Sequence, residues 1–360
     1  EELEVAAENR ANYRTVGTGA AVTPMETNSN NISIGVAVSV NDNEANALVS
    51  GDLTAKGNEA TPKDDGRVRI TSTLTQNMDG KYLGLLGAQG IAGSVAGSGG
   101  KVGFAGAVAI LVAKARANAT IAADAIIRGG DVSVGAVDKS KLAVRAGAVT
   151  IGGAQAGIGA SFALIYAENS LIASVGSRAR VTAKSLKVTA QKQPVDASDY
   201  KFPFGWDALF TVNVEEASRK GLININTKEK TGGIIGVDVA IGADDLLKVI
   251  DTLNYLASVS YYAEAIAGAI AAGQDAKVAI AGSVAMLFTQ SRTEASIGDH
   301  ALIALDGGDA EVSAASKTNA RIIGGAIGAT KGKVGAGVNI ASVSDRDEIF
   351  RRISGWIGVP

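Results

Sequence analysis

The chain has 360 residues, 34 Lys and Arg against 36 Asp and Glu (formal net charge -2), 45 Gly, 5 Pro, 4% aromatic residues and no Cys. Charges of both signs are interspersed, which leaves no basic stripe for nucleic acid and no acidic solvating tail. Without Cys there are no disulfides and no thiolate metal ligands, and glycine without a three-residue period or abundant proline excludes a collagen-like helix.

In chain order, residues 1–22 predict a strand pair, Leu3–Ala7 followed by Tyr13–Val22. The acidic opening Glu1-Glu2-Leu3-Glu4 lacks signal-peptide character, so the chain is expected to be excised from a longer protein. After a polar turn over Thr23–Asn30 comes Asn31–Val49, in which Ile34, Val36, Val38 and Val40 alternate with Gly35, Ala37 and Ser39, a period of two that predicts a strand. A polar loop over Gly57–Gly66 leads to another alternating strand, Arg67–Thr73, and Gln76–Leu86 reads as a short helix or an ornamented turn.

Residues 91–135 are the stretch that the rest of the chain repeats. Shifted by 54, Lys101–Ile110 (KVGFAGAVAI) lands on Gln155–Leu164 (QAGIGASFAL), and shifted by 176 its text KVGFAGAVAIL lands on Lys277–Leu287 (KVAIAGSVAML). A shift back by 72 takes Val108–Ile110 to Val36–Val38, while Gly129-Gly130-Asp131 returns as Gly307-Gly308-Asp309 at 178. Leu3–Ala7 and Gly332–Ile340 are partial copies at the two ends. Self-similarity of this kind predicts stacked units that share one continuous core. A unit of about 54 residues is long for one coil of a β-helix, so each unit is two coils or one coil with a hairpin.

Within each copy one strand face is bulky and the other small. Val102, Phe104, Val108, Ile110 and Val112 oppose Gly103, Ala105, Ala107, Ala109 and Leu111, and copies two and three repeat the contrast. A sheet with one wet face alternates apolar with polar residues. Two apolar faces therefore predict burial of both, with a further layer packed closely on the small side. A polar crossing (Lys114–Asn118 and its equivalents), a shorter strand over Ala119–Ile127 and a Gly-Gly-Asp turn complete the unit.

Copies two and three are 122 apart, and the excess begins near Gln191. The predicted organisation is β-solenoid repeats over 1–190, a mixed α/β insertion over 191–275, and repeats with the C-terminal end over 276–360. Asp244–Ser258 switches to helical spacing, with Leu246, Leu247, Ile250, Leu253 and Leu256 on one face. Asp345–Pro360 has the pattern of a short amphipathic helix.

Residues with chemical potential read better as turns. His300, the sole histidine, occupies the repeat position of Asp124 and Arg178 rather than a triad. Gly97–Lys101 (GSGGK) lacks the spacing and the final Ser or Thr of a phosphate loop. Asn41-Asp42-Asn43-Glu44 and Asp345-Arg346-Asp347-Glu348 do not fit a twelve-residue calcium loop. No catalytic, cofactor-binding or metal-ligating residue is assigned.

The alternating strands, Gly-Gly-Asp turns, VSVGA and KVTA endings and Gly/Ala-rich strands together resemble repeats of large bacterial surface or secreted proteins: haemagglutinin-like adhesins, autotransporter passengers and leukotoxin-like repeats. The resemblance implies a mainly β, β-helix-like solenoid acting as a non-catalytic structural or adhesive segment at the cell surface, in cell adhesion and virulence. Its expected partners are host or neighbouring-cell surface proteins or glycans, with no nucleic acid and no cofactor. The alternative is a carbohydrate-active β-helix enzyme, a polysaccharide lyase or hydrolase, which needs two carboxylates at a defined separation.

Overall fold

The computed structural model describes residues 2–22, 30–55, 66–77, 87–96, 101–152, 155–194, 259–271 and 276–344. The predicted helix at 244–258, the rest of the insertion over 195–258, the segment 78–86 and the end 345–360 lie outside the described residues. Those described are mainly β, in nineteen strands and four sheets, with no closed barrel among them.

Sheet A holds β1 (Glu2–Ala11), β5 (Arg67–Gln76), β9 (Asp131–Ser140), β13 (Ser185–Lys192) and β17 (Ala310–Ser316). Sheet B holds β2 (Thr15–Val22), β6 (Ala88–Ala96), β10 (Leu142–Gly152), β14 (Tyr261–Ala271) and β18 (Ala320–Thr330). Sheet C holds the long strands β3 (Asn31–Val49), β7 (Val102–Ile121), β11 (Ala156–Val175) and β15 (Val278–Ile297), with β19 (Val334–Ser344). Sheet D is short: β4 (Asp52–Thr54), β8 (Ile126–Arg128), β12 (Arg180–Ala183) and β16 (Leu302–Leu305). The chain visits A, B, C and D in turn and then starts again, so stacked parallel ladders run through all four sheets. This arrangement is compatible with a β-helix-like solenoid.

The repeat shifts in the sequence are the ladder registers. Val108 pairs with Phe162 (54 residues on) and with Val36 (72 back), and Phe162 pairs with Val284 (122 on). Leu3, Val68 and Val132 share one rung, which accounts for the N-terminal partial copy. Each unit is thus one coil of four strands. It is neither two coils nor a coil with a hairpin, because β10 and β11 lie in different sheets and each bonds to neighbouring coils. Residues 259–271 belong to the coil through β14.

The polar crossing does not interrupt the long strand either. β7 continues through Lys114, Arg116 and Asn118 because alternate residues Ala115, Ala117 and Ala119 remain apolar and buried. Only the outward face changes character there. The strand ends at a turn where Asp124, Arg178 and His300, one above another in successive coils, all have positive φ near 60°.

Two cores result. The second half of sheet C closes with sheets A and D around Val68, Ile70, Leu74, Ile121, Ile127, Val132, Leu171, Leu186 and their neighbours. The first half of sheet C lies directly against sheet B over alanines and a few larger residues, among them Ala107, Ala109, Leu111, Ala146, Ala148, Ile165 and Ala265. This second part is a two-layer blade projecting from the larger core.

Candidate functional site: the two-sheet blade and the polar network at its root

The blade exists because its inner faces are nearly without side chains. A Cβ added to Gly90 of β6 would stand 2.3 Å from the Val108 carbonyl oxygen, one on Gly159 of β11 2.4 Å from that of Gly268, and one on Gly328 of β18 2.2 Å from that of Ala336. The two backbones are therefore much closer than the ~10 Å usual for stacked sheets. Thr150 Oγ1 donates across the gap to the Ile158 carbonyl oxygen at 2.9 Å. The predicted close layer on the small side is thus a second sheet. Ser33, Ser161 and Ser283, on that inner face of sheet C, are buried with unpartnered hydroxyls.

The prediction that both faces are buried fails for the bulky face over much of its area. Those side chains point outward, and Ile32, Ile34, Val36, Val38 and Val40 of β3 are 50–66% exposed. Val112, Leu164, Tyr166 and Phe288 are buried within the same face. The physical reason is that small residues pack to backbone distance and leave the bulky set as the exterior. The boundary is sharp: one rung beyond Val40, Val112, Tyr166 and Phe288 come Asp42, Lys114, Glu168 and Gln290. Arg116 spans that polar half, 2.8 Å from Asp42 and 3.6 Å from Glu44.

The outer face of sheet B is apolar as well, with Ile91, Val149, Ile266, Ile270 and Ile327 exposed. Its polar limit is at the root of the blade. There Arg14 donates to Gln89 at 3.3 Å, and Arg145 lies 3.1 Å from Glu264, which also accepts a short hydrogen bond from Tyr262. Burial, then the Glu264 hydrogen bond, pushes the Tyr262 phenol well above its ordinary range.

Where blade and larger core meet, polar groups are buried together. Lys192 Nζ is 2.9 Å from Asp138, both side chains 1% exposed, and donates to the Tyr261 hydroxyl at 2.8 Å. Asn169 Nδ2 donates to the same hydroxyl at 2.6 Å, and Ser140 donates a short bond to Asp138. The Asn77 side chain accepts from the Tyr13 amide at 2.9 Å and donates to the Lys141 carbonyl oxygen at 3.3 Å. Burial opposes the Lys192 charge, but Asp138 and the Tyr261 hydroxyl outweigh it and hold the ammonium above its ordinary pKa. Lys141 is also buried, and desolvation lowers its pKa to about 7. Burial, then the Asp138 charge, raises the Tyr13 phenol far above its usual value. A buried cluster in which Asp138, Lys192, Tyr261 and Asn169 are bonded to one another is destabilised by loss of any one of them.

The candidate residues from the sequence do not converge. His300 is exposed in its turn, and Asp42 and Glu44 are consumed by Arg116. Lys101, Gln155, Lys277 and Lys333 are stacked at the tip of the blade through backbone bonds. No three His, Asp or Glu side chains group as metal ligands among the described residues. The buried network is hidden in the sequence because Asp138, Lys139, Ser140 and Lys141 form a continuous polar run with the composition of a solvated loop; the signal available is Lys192, one 54-residue shift from Asp138. No family model, no curated protein and no solved structure matches the chain.

Proposed function

We propose that the chain is a non-catalytic structural and adhesive segment of a large bacterial surface or secreted protein. It is a β-solenoid whose sequence pattern adds a mixed α/β insertion between Lys192 and Val259. The observation that carries this reading is the blade: a stack of parallel ladders in two close sheets with apolar residues on its outer faces. Contiguous exposed apolar area beyond a few hundred Å² marks interaction surfaces on proteins. The partners are host or neighbouring-cell surface proteins or glycans outside the cell.

The test pairs binding with turnover. The purified chain is titrated onto immobilised cell-surface proteins and glycan arrays, and incubated with acidic polysaccharides while unsaturated products are followed. Saturable binding without product is the expected result. Product release would replace the proposal with a carbohydrate-active enzyme, and no binding to any surface would overturn it.

A further inference from the structure

The outer face of sheet B contains glycines that the fold of a single chain does not require. Inward glycines such as Gly90 are fixed by collision with the facing backbone. A Cβ added to Gly93 or Gly147, in contrast, meets nothing within 4 Å, and at Gly268 and Gly325 it meets only atoms at 3.8 Å or beyond. None of these four has the positive φ that would call for glycine. In a strand interior such glycines lower β propensity for no gain within the chain.

Their arrangement supplies a reason. Along the rung through β6, β10, β14 and β18, Ile91, Gly147, Ile266 and Gly325 alternate. On the next outward rung the order is reversed: Gly93, Val149, Gly268, Ile327. The four bulky residues are 39–69% exposed. Each knob thus has a glycine two residues away on its own strand and another beside it on the next strand. The surface is a chequerboard, complementary in shape to itself.

We propose that this face binds a second copy of the chain through a two-fold axis parallel to the direction in which the coils stack. The axis lies midway between the two rungs. Each strand then faces its own copy antiparallel: Ile91 enters the space over Gly93 of the second copy, and Val149 that over Gly147. Ile266 meets Gly268, and Ile327 meets Gly325. Every pair occurs twice, as an isologous interface demands. The one charged pair in the footprint, Arg145 and Glu264, is already mutually neutralised. Five strands ~4.8 Å apart, each contributing four outward residues at ~3.3 Å per residue, cover about 650 Å² per copy. The pair buries about 1,300 Å², within the range of specific protein interfaces. The inference goes beyond the adhesive reading and does not depend on it.

The test uses the 360-residue chain in sedimentation velocity over a concentration series, with circular dichroism as the folding control. Gly147→Ile and Gly93→Ile fill the holes with side chains whose Cβ atoms meet nothing within 4 Å in their own chain. They are expected to leave the spectrum unchanged and raise the dimer dissociation constant at least 100-fold. The double exchange Ile91→Gly with Gly93→Ile moves the knob to the other rung, where the two-fold again places it over a glycine, and is expected to recover dimerisation. A wild-type chain monomeric at every concentration would overturn the proposal. So would a dimer indifferent to Gly147→Ile. Flotation with phosphatidylcholine–phosphatidylglycerol vesicles, undiminished or strengthened by Gly147→Ile in a monomeric protein, would assign the face to lipid and overturn it too.

Discussion

Gly159→Ala adds one methyl group between the two sheets of the blade. Its Cβ would lie 2.4 Å from the Gly268 carbonyl oxygen, against a normal carbon–oxygen contact of about 3.3 Å, so the sheets must part locally by about 1 Å. A gap of that size removes a quarter to a half of the dispersion well for each neighbouring atom pair, and overpacking costs about 1–3 kcal/mol. The control is Gly282→Ala on the outer face of the same sheet, where the new methyl meets nothing within 4 Å. Replacing glycine there reduces the freedom of the unfolded chain and contributes about 0.5 kcal/mol of stability. The two variants therefore differ by about 1.5–3.5 kcal/mol, equivalent to a Tm separation of about 2–5 °C for a chain of this size. Thermal and urea unfolding followed by circular dichroism measure it. Equal stability of the two variants would refute direct contact between the sheets.

Other outcomes follow from the buried polar groups and the turns. Asp138→Ala leaves Lys192 charged and buried, and should cost about 3–5 kcal/mol in urea unfolding, whereas replacing both residues by apolar side chains should be close to neutral. Lys141 binds its proton more weakly in the folded chain than in the unfolded one, at about 7 against 10.5. The unfolded state therefore holds more protons across that window, and stability should rise as pH increases through it; Lys141→Met should flatten this slope. Above about pH 10 stability should fall, because unfolded Tyr13 and Tyr262 ionise there while burial keeps the folded phenols protonated. Ser161→Ala and Ser283→Ala remove buried hydroxyls without partners and should each stabilise by about 1 kcal/mol. His300→Gly relieves a left-handed residue and should stabilise by about 1 kcal/mol in the same assay.

Ladder registers were legible in the sequence because rung neighbours in a parallel stack need similar residues, so KVGFAGAVAIL and its copies align by simple subtraction. The close approach on the Gly/Ala side was legible for a related reason: only a layer packed to backbone distance has use for Gly103, Ala105, Ala107 and Ala109 on one face. The direction of the bulky face was not. Period-two alternation separates two faces without saying which is inside, and the usual rule that the larger apolar set is buried is reversed here. Nor was the continuity of β7 through Lys114–Asn118, because charges on alternate residues look like a loop when the small inner residues between them are overlooked. The Asp138–Lys192 pair depends on two coils meeting at one corner, which no local pattern encodes.

One disulfide experiment tests the winding most directly. Thr120 and Ser174 are rung partners 54 residues apart with hydroxyl oxygens 3.2 Å from each other, and the chain has no other thiol to interfere. Thr120→Cys with Ser174→Cys should oxidise to an intramolecular bond nearly completely. Thr120→Cys with Ile172→Cys, two residues out of register and beyond the ~7 Å Cα limit for a bridge, should remain reduced. Equal oxidation of the two pairs, or oxidation of the second alone, would contradict one coil per repeat.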